Sequence, residues 1–132
     1  MSMSADLRDR MKAAGLAGGR VYRDERPPGS DLPAIRSVVT SDPRPSTMEG
    51  RQALRETGVQ HDCMALSRTE ADDLAEAVIA ETEVAGTYGA TKFSRSFVDA
   101  SRSYSERDAA GILTYVTSLD MRIWHQPENS NA

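Results

Sequence analysis

The residues best suited to chemistry stand together at His61, Asp62 and Cys63, an imidazole, a carboxylate and a thiol in succession. A Cys–His catalytic pair needs the imidazole beside the sulfur and a third group to orient the ring. Residues 51–65 read as a strand in which Val59, His61, Cys63 and Ala65 share one face and Gln60, Asp62 and Met64 the other. Asp62 then points away from His61, and the three cannot act as a triad. His125 is the only other imidazole and there is no second cysteine, so the usual structural zinc sets cannot be completed. The reading is of buried strand positions filled by small or polar residues; no catalytic, cofactor-binding or metal-ligating residue is assigned.

Other clusters give surfaces rather than chemistry. Asp72, Asp73 and Glu76 diverge around a helix, and no loop supplies the ligands of a calcium site, so they form an acidic face. The glycines Gly15, Gly18 and Gly19 follow a helix and lack the Lys-Ser or Lys-Thr of a phosphate loop; they stop the helix. Arg44, Arg51 and Arg55 flank a turn between two strands, and Arg95, Arg102 and Arg107 mark a later hairpin. Such arginines either form surface ion pairs worth little or meet acidic faces of neighbouring subunits through their planar fork. Trp124 is either an edge-of-core residue or an interface anchor. The interface candidates are therefore Arg44, Arg51, Arg55, Asp72, Asp73, Glu76, Arg102, Arg107 and Trp124.

The elements that must position these residues follow from periodicity and punctuation. Leu7, Met11 and Ala14 recur at helical spacing over residues 4–15, with Arg8, Asp9, Arg10 and Lys12 on the other sides. A short strand at 20–22 precedes a Pro- and Gly-rich loop at 23–33. The β-branched residues of 34–40 predict a strand, closed by the turn at Ser41-Asp42-Pro43. Ser67-Arg68-Thr69-Glu70 fits a capping box. From it Ala71, Leu74, Ala75, Val78 and Thr82 form one stripe along a helix of about 16 residues, with Leu74 as its keystone, worth about 1.5–3 kcal/mol if fully buried. Residues 86–91 turn the chain into a hairpin of two long strands, 92–105 and 112–125. In the second, Leu113, Tyr115, Thr117, Leu119, Met121 and Ile123 share the buried face. The ends, about 1–4 and 126–132, read as flexible. The predicted fold is a single α+β domain over 1–132: a mostly antiparallel sheet of about four to five strands with two helices on one face.

Bulk properties bound the function. The chain has 132 residues, within the range of one domain. One Trp, four Tyr and two Phe leave the core thin and aliphatic. Net charge is −4 with both signs interleaved, so no basic tract marks a nucleic-acid surface. No segment resembles a signal peptide or a membrane span, and a lone cysteine agrees with a reducing compartment; a soluble, unexported protein is expected.

Several phrases read together carry a resemblance. They are the opening helix, Gly18-Gly19-Arg20-Val21-Tyr22, Leu32-Pro33-Ala34-Ile35, Val59-Gln60-His61-Asp62-Cys63, Glu70-Ala71-Asp72-Asp73-Leu74-Ala75, and Leu119-Asp120-Met121-Arg122-Ile123. From about Asp6 to His125 the chain resembles the tail completion or tail terminator family of long-tailed phages and of phage-derived gene transfer agents. It departs from that family at His61, Cys63 and Met64, where aliphatic or aromatic residues are usual. The resemblance implies a structural virion protein without an active site or cofactor, made in the host bacterial cytoplasm and placed in the tail neck. It implies a homo-oligomeric ring, commonly a hexamer, that sits on the head-proximal end of the tail tube protein and stops tube growth. The ring offers a docking surface to the head-tail connector or stopper protein, and DNA passes through its lumen without specific binding; no membrane is involved. Loops 23–33 and 41–50 are the candidates for contacts along the ring axis. Two readings stay beside this one: another neck component, such as a head-completion or stopper protein, and a small cytoplasmic enzyme using Cys63.

Overall fold

The computed structural model describes residues 2–27, 29–44, 46–47, 50–51, 53–107 and 111–127, with 46–47 and 50–51 described by backbone alone. Helix α1, Met3–Ala13, starts where the Ser2 side chain accepts from the Ala5 amide, so residues 3 and 4 are helical rather than a loose end. Gly15, at φ 76°, ends it, and a single 3-10 turn, Leu16–Gly19, follows. The strands are β1 Val21–Arg23, β2 Ala34–Ser41, β3 Ser46–Thr47, β4 Gly50–Arg51 and β5 Arg55–Ala65. Helix α2, Arg68–Thr82, begins where the Ser67 hydroxyl accepts from the Glu70 amide, as its capping signal requires. The chain closes with β6 Gly86–Tyr88, β7 Thr91–Phe93, β8 Phe97–Arg107 and β9 Leu113–Pro127.

The fold is α+β. Seven strands make the main sheet in the order β1-β2-β5-β9-β7-β6, with β8 also on β9, and β3 and β4 form a separate two-stranded ribbon. The expected four to five strands fall short because β6 and β7 span three residues each, too few for a period to show, while the short strand expected at 20–22 is β1. β1 runs parallel to β2; the other pairings are antiparallel. The predicted strand 51–65 begins only at Arg55, since Arg51 belongs to the ribbon. The predicted strand 92–105 is two strands on the same side of β9: β7 pairs with 125–127 and β8 with 113–122, and between them only the Ser94 amide reaches the Trp124 carbonyl. The closing segment 86–91 holds β6 and a turn at Gly89, and residues 126 and 127 complete β9 rather than a tail; 128–132 lie outside the described residues.

Both helices contribute to one core. Leu7 and Met11 of α1 and Leu74, Ala75 and Val78 of α2 pack with Val21, Ile35, Val59, Cys63, Phe93, Leu119, Met121 and Ile123. The register sets Ile35 opposite Cys63 and Val59 opposite Met121, so these strand residues share one face of the sheet. Leu74 lies at the margin of this core, at 9% exposure, while Val78 is fully buried. β9 is covered on both faces at its centre, because Thr114, Val116 and Ser118 are buried along with Leu119.

Two polar residues of α1 are buried, Asp6 and Arg10, the second of which the helical spacing placed away from the apolar face. Asp6 accepts from the Ala90 amide and, at 2.6 Å, from the Thr91 hydroxyl. Arg10, 2% exposed, donates to the carbonyls of Glu81 and Val84 at the end of α2 and pairs with the Glu81 carboxylate at 3.2 Å. Its guanidinium lies 4.3 Å from the Tyr88 ring centroid. A cation at a helix C-terminus satisfies the free carbonyls and the negative end of the dipole. Replacing Arg10 by Leu should lower unfolding free energy by about 3 kcal/mol, because it strands those carbonyls. Urea denaturation measures this, and a loss below about 0.5 kcal/mol would show that Arg10 does not hold the helices together.

Candidate functional site

β5 divides the His61-Asp62-Cys63 cluster between the two faces of the sheet, as alternation requires. His61 and Cys63 face the helices and are fully buried. The His61 Nδ1 lies 2.7 Å from the Ser37 hydroxyl of the neighbouring strand, and burial, opposed only by the Asp62 charge, pushes its pKa down to about 4. Burial, reinforced by the Asp62 charge, pushes the Cys63 thiol up. A thiolate there is strongly disfavoured, and the sulfur belongs to the apolar core.

Asp62 lies on the opposite face, where the register aligns Arg36, Asp62, Ser118 and Arg102 in a row across four strands. Its carboxylate accepts from Arg36, from Gln60 at 2.9 Å and from the Ser118 hydroxyl at 2.8 Å. Burial raises its pKa, but the hydrogen bonds from Gln60, Arg36 and Ser118 outweigh that and hold it below the usual carboxylate range. Arg102 continues the row with a 2.7 Å bond to Asp120, and Arg122 reaches Asp99 at 2.8 Å. This is a polar sheet face laced by cross-strand ion pairs.

The interface candidates gather in three places. Arg44 and Arg55 converge on Asp42, at 2.8 and 2.6 Å, and Thr57 bridges Asp42 to His125 Nε2. These residues line a cleft of about 370 Å3 beside the start of α1, at the end of the sheet where β2 stops and β5 begins. The His125 pKa falls to about 4, mainly by burial and then by the Arg55 charge. The Arg51 side chain is outside the described residues. On α2, Asp72 is held by Arg68 and by the Thr117 hydroxyl at 2.7 Å, whereas Asp73 and Glu76 are exposed and make no ion pair among the described residues. Arg102 and Arg107 lie on β8; Arg107 donates only to the Gly111 carbonyl there. Trp124 is half-buried on the face away from the core, between the buried Ile123 and His125.

Sequence reasoning missed Asp42 as the common acceptor and Arg68 as the clamp from α2 to the Val116 carbonyl of β9. It also missed an exposed apolar patch of Leu66, Ile112 and Leu113 at the sheet end opposite Asp42. The only sequence signal for Asp42 is a carboxylate two residues from Arg44 at a proline turn. Among the described residues, no cluster of three or more His, Cys, Asp or Glu side chains could hold a metal, and no helix is long and apolar enough to cross a membrane.

No protein-family model matches the chain, and no curated protein does. Its fold is similar to that of a chain in the virion of the native gene transfer agent (GTA) particle, with a TM-score of 0.58 and 18% sequence identity over 95% of each chain. That likeness extends from end to end, and it shows a shared fold.

Two outcomes test this account. A histidine held neutral in the folded state and titrating near 6.5 when unfolded makes the native state bind fewer protons in acid. Stability is therefore full above about pH 6.5 and declines as pH falls towards 4, by about 3 kcal/mol for His61 alone. Urea unfolding at pH 4.5 and 7.5 reads the change. His61→Gln should remove the His61 share and leave that of His125, whose pKa is lowered in the same way, and an acid loss equal in wild type and His61→Gln contradicts a neutral buried imidazole at His61. Cys63 should react with a thiol reagent only as fast as the protein opens globally; rapid labelling of the native chain would place the sulfur at the surface.

Proposed function

We propose that this chain is a structural component of a phage or gene transfer agent virion, and within it a tail terminator. The observation that carries the proposal is the shared fold with a GTA virion chain across 95% of both molecules. The sequence resemblance from Asp6 to His125 supports the finer assignment. In this reading a homo-oligomeric ring, a hexamer by the family's habit, caps the head-proximal end of the tail tube. One axial side meets the tube protein and the other the head-tail connector or stopper.

The chemistry of the surface suits that role. Heterologous ring contacts join one face of a subunit to a different face of the next. The exposed Asp73 and Glu76, with Asp72 beside them, are placed to receive basic residues of a neighbour, among which Arg107 and Arg95 have no carboxylate of their own among the described residues. The two ends of the sheet differ: one presents the Asp42, Arg44 and Arg55 cluster, the other the Leu66, Ile112 and Leu113 patch beside residues 29–32. Two ends of different character suit two different axial partners. A hexamer would carry about −24 of formal charge, favouring a lumen that passes DNA without binding it.

Deleting the gene and imaging the particles tests the reading. A terminator's loss should give tail tubes of uncontrolled length and heads without tails, and tagged chain should restore both and label the neck. Tails of normal length in the deletion, or absence of the chain from purified tails that lack heads, would overturn the terminator assignment.

A further inference from the structure

β8 carries the longest unpaired strand edge among the described residues. It joins β9 along one side, and all eleven of its residues are exposed. A row of unpaired backbone amides and carbonyls is matched by another extended backbone. The other free edges of the main sheet among the described residues, β1, β6 and the end of β2 from Val38 to Ser41 beyond its pairing with β1, are too short to fill it in a second copy. The segment of matching length is β8 itself.

We infer that two copies of the chain pair β8 against β8, antiparallel, about a two-fold axis at Tyr104. In this register Tyr104 faces Tyr104 of the second copy, Ser103 faces Ser105, and Arg102 faces Glu106 twice. Arg102, Tyr104 and Glu106 lie on one face, since their partners on β9 are Ser118, Val116 and Thr114. Arg102 is already held on that face by its bond to Asp120, while Glu106 is exposed and makes no ion pair among the described residues. Opposite charges and paired aromatic rings are the favourable cross-strand partners. Centring the pair on Arg102 would set guanidinium against guanidinium, and centring it on Ser103 would leave Glu106 opposite Ala100. The irregularity between Val98 and Ala100 ends the regular edge on the other side, so the overlap runs over 101–107. A two-fold contact uses the same patch twice and cannot by itself propagate a ring. The dimer is therefore a form of the free chain, it shields the edge from aggregation, and it does not rest on the virion reading.

Light scattering after size-exclusion chromatography of the full chain tests the pairing. The wild type should run as a dimer that dissociates on dilution, and Tyr104→Lys, at an exposed position, should be monomeric with an unchanged circular dichroism spectrum. Glu106→Arg should raise Kd about tenfold, and adding Arg102→Glu should bring it back. Under oxidising conditions Tyr104→Cys should form a disulfide-linked dimer, which the buried Cys63 cannot do. A wild type that stays monomeric at about 1 mM, where even weak pairs associate, overturns the inference. So does any oligomer that Tyr104→Lys leaves intact or Tyr104→Cys fails to cross-link. Because these measurements use free chain, their failure leaves the particle experiment untouched.

Discussion

The buried guanidinium of Arg10 is the constraint on which the arrangement of helices depends. A charge at 2% exposure needs partners, and Arg10 draws them from elsewhere in the chain. Its Nε and Nη2 donate to the Glu81 carboxylate and to the carbonyls of Glu81 and Val84, and the guanidinium lies over the ring of Tyr88, while Nη1 makes no hydrogen bond among the described residues. Asp6, one turn earlier on α1, fixes the β6–β7 turn in the same way. Gly89 sits against it at φ 59°, and a Cβ there would stand 2.3 Å from the Asp6 carboxylate, so any larger residue would be strained and would displace Asp6 from its bonds to the turn. Together these bonds set where α1 lies and how far α2 runs. The placement of α2 over β5 and β9 then decides that Asp73 and Glu76 face outward.

What the sequence disclosed follows the range of the forces involved. Ser67, Glu70 and the stripe from Ala71 to Thr82 gave α2 because capping and amphipathicity are local signals. The alternation of Val59, His61 and Cys63 gave the face of β5 and ruled out a triad, and the helix-facing positions of β9 from Leu119 to Ile123 were equally plain. β6 was missed and β7 merged with β8, because a three-residue strand exists only through its partner, whereas β1 was legible near its place, at 20–22, from the turn signals around it. The burial of Arg10 was invisible for the same reason: its partners lie 71 and 74 residues away. Among the surface candidates, the convergence of Arg44 and Arg55 on Asp42 depends on the turn that brings β2 back to β5. Their local sequence shows only scattered charge.

The core-facing side of the sheet holds its few polar groups neutral and paired side chain to side chain, as with Ser37 and His61 or Thr57 and His125. The other side uses charges, aligned from Arg36 through Asp62 and Ser118 to Arg102. His61 and Cys63 are accommodated on the first side, where a neutral imidazole and a thiol lie buried beside aliphatic residues. Neither perturbed residue has the exposure that chemistry requires. Perturbed titration here comes from burial inside a rigid sheet, and the same rigidity would hold an assembly surface in shape.

The distribution of free strand edge separates this chain from an ordinary sheet protein. Natural sheets protect their edges by keeping them short, charged or bulged. β1 and β6 follow that rule at three residues each, and β3 and β4 cover only each other. β8 follows it only in part: it carries Asp99, Arg102, Glu106 and Arg107 and is irregular between Val98 and Ala100, but it is eleven exposed residues long. Asp99 and Arg102 are turned back onto Arg122 and Asp120 of β9, which leaves the edge over 101–107 uncovered. A lone chain gains nothing by holding so long an edge open, because each unpaired amide and carbonyl offers a site for unwanted pairing. In the β8 pair inferred for the free chain, a second copy closes this edge. The long hairpin of β8 and β9 is then an element whose solvent side is an unfinished interior.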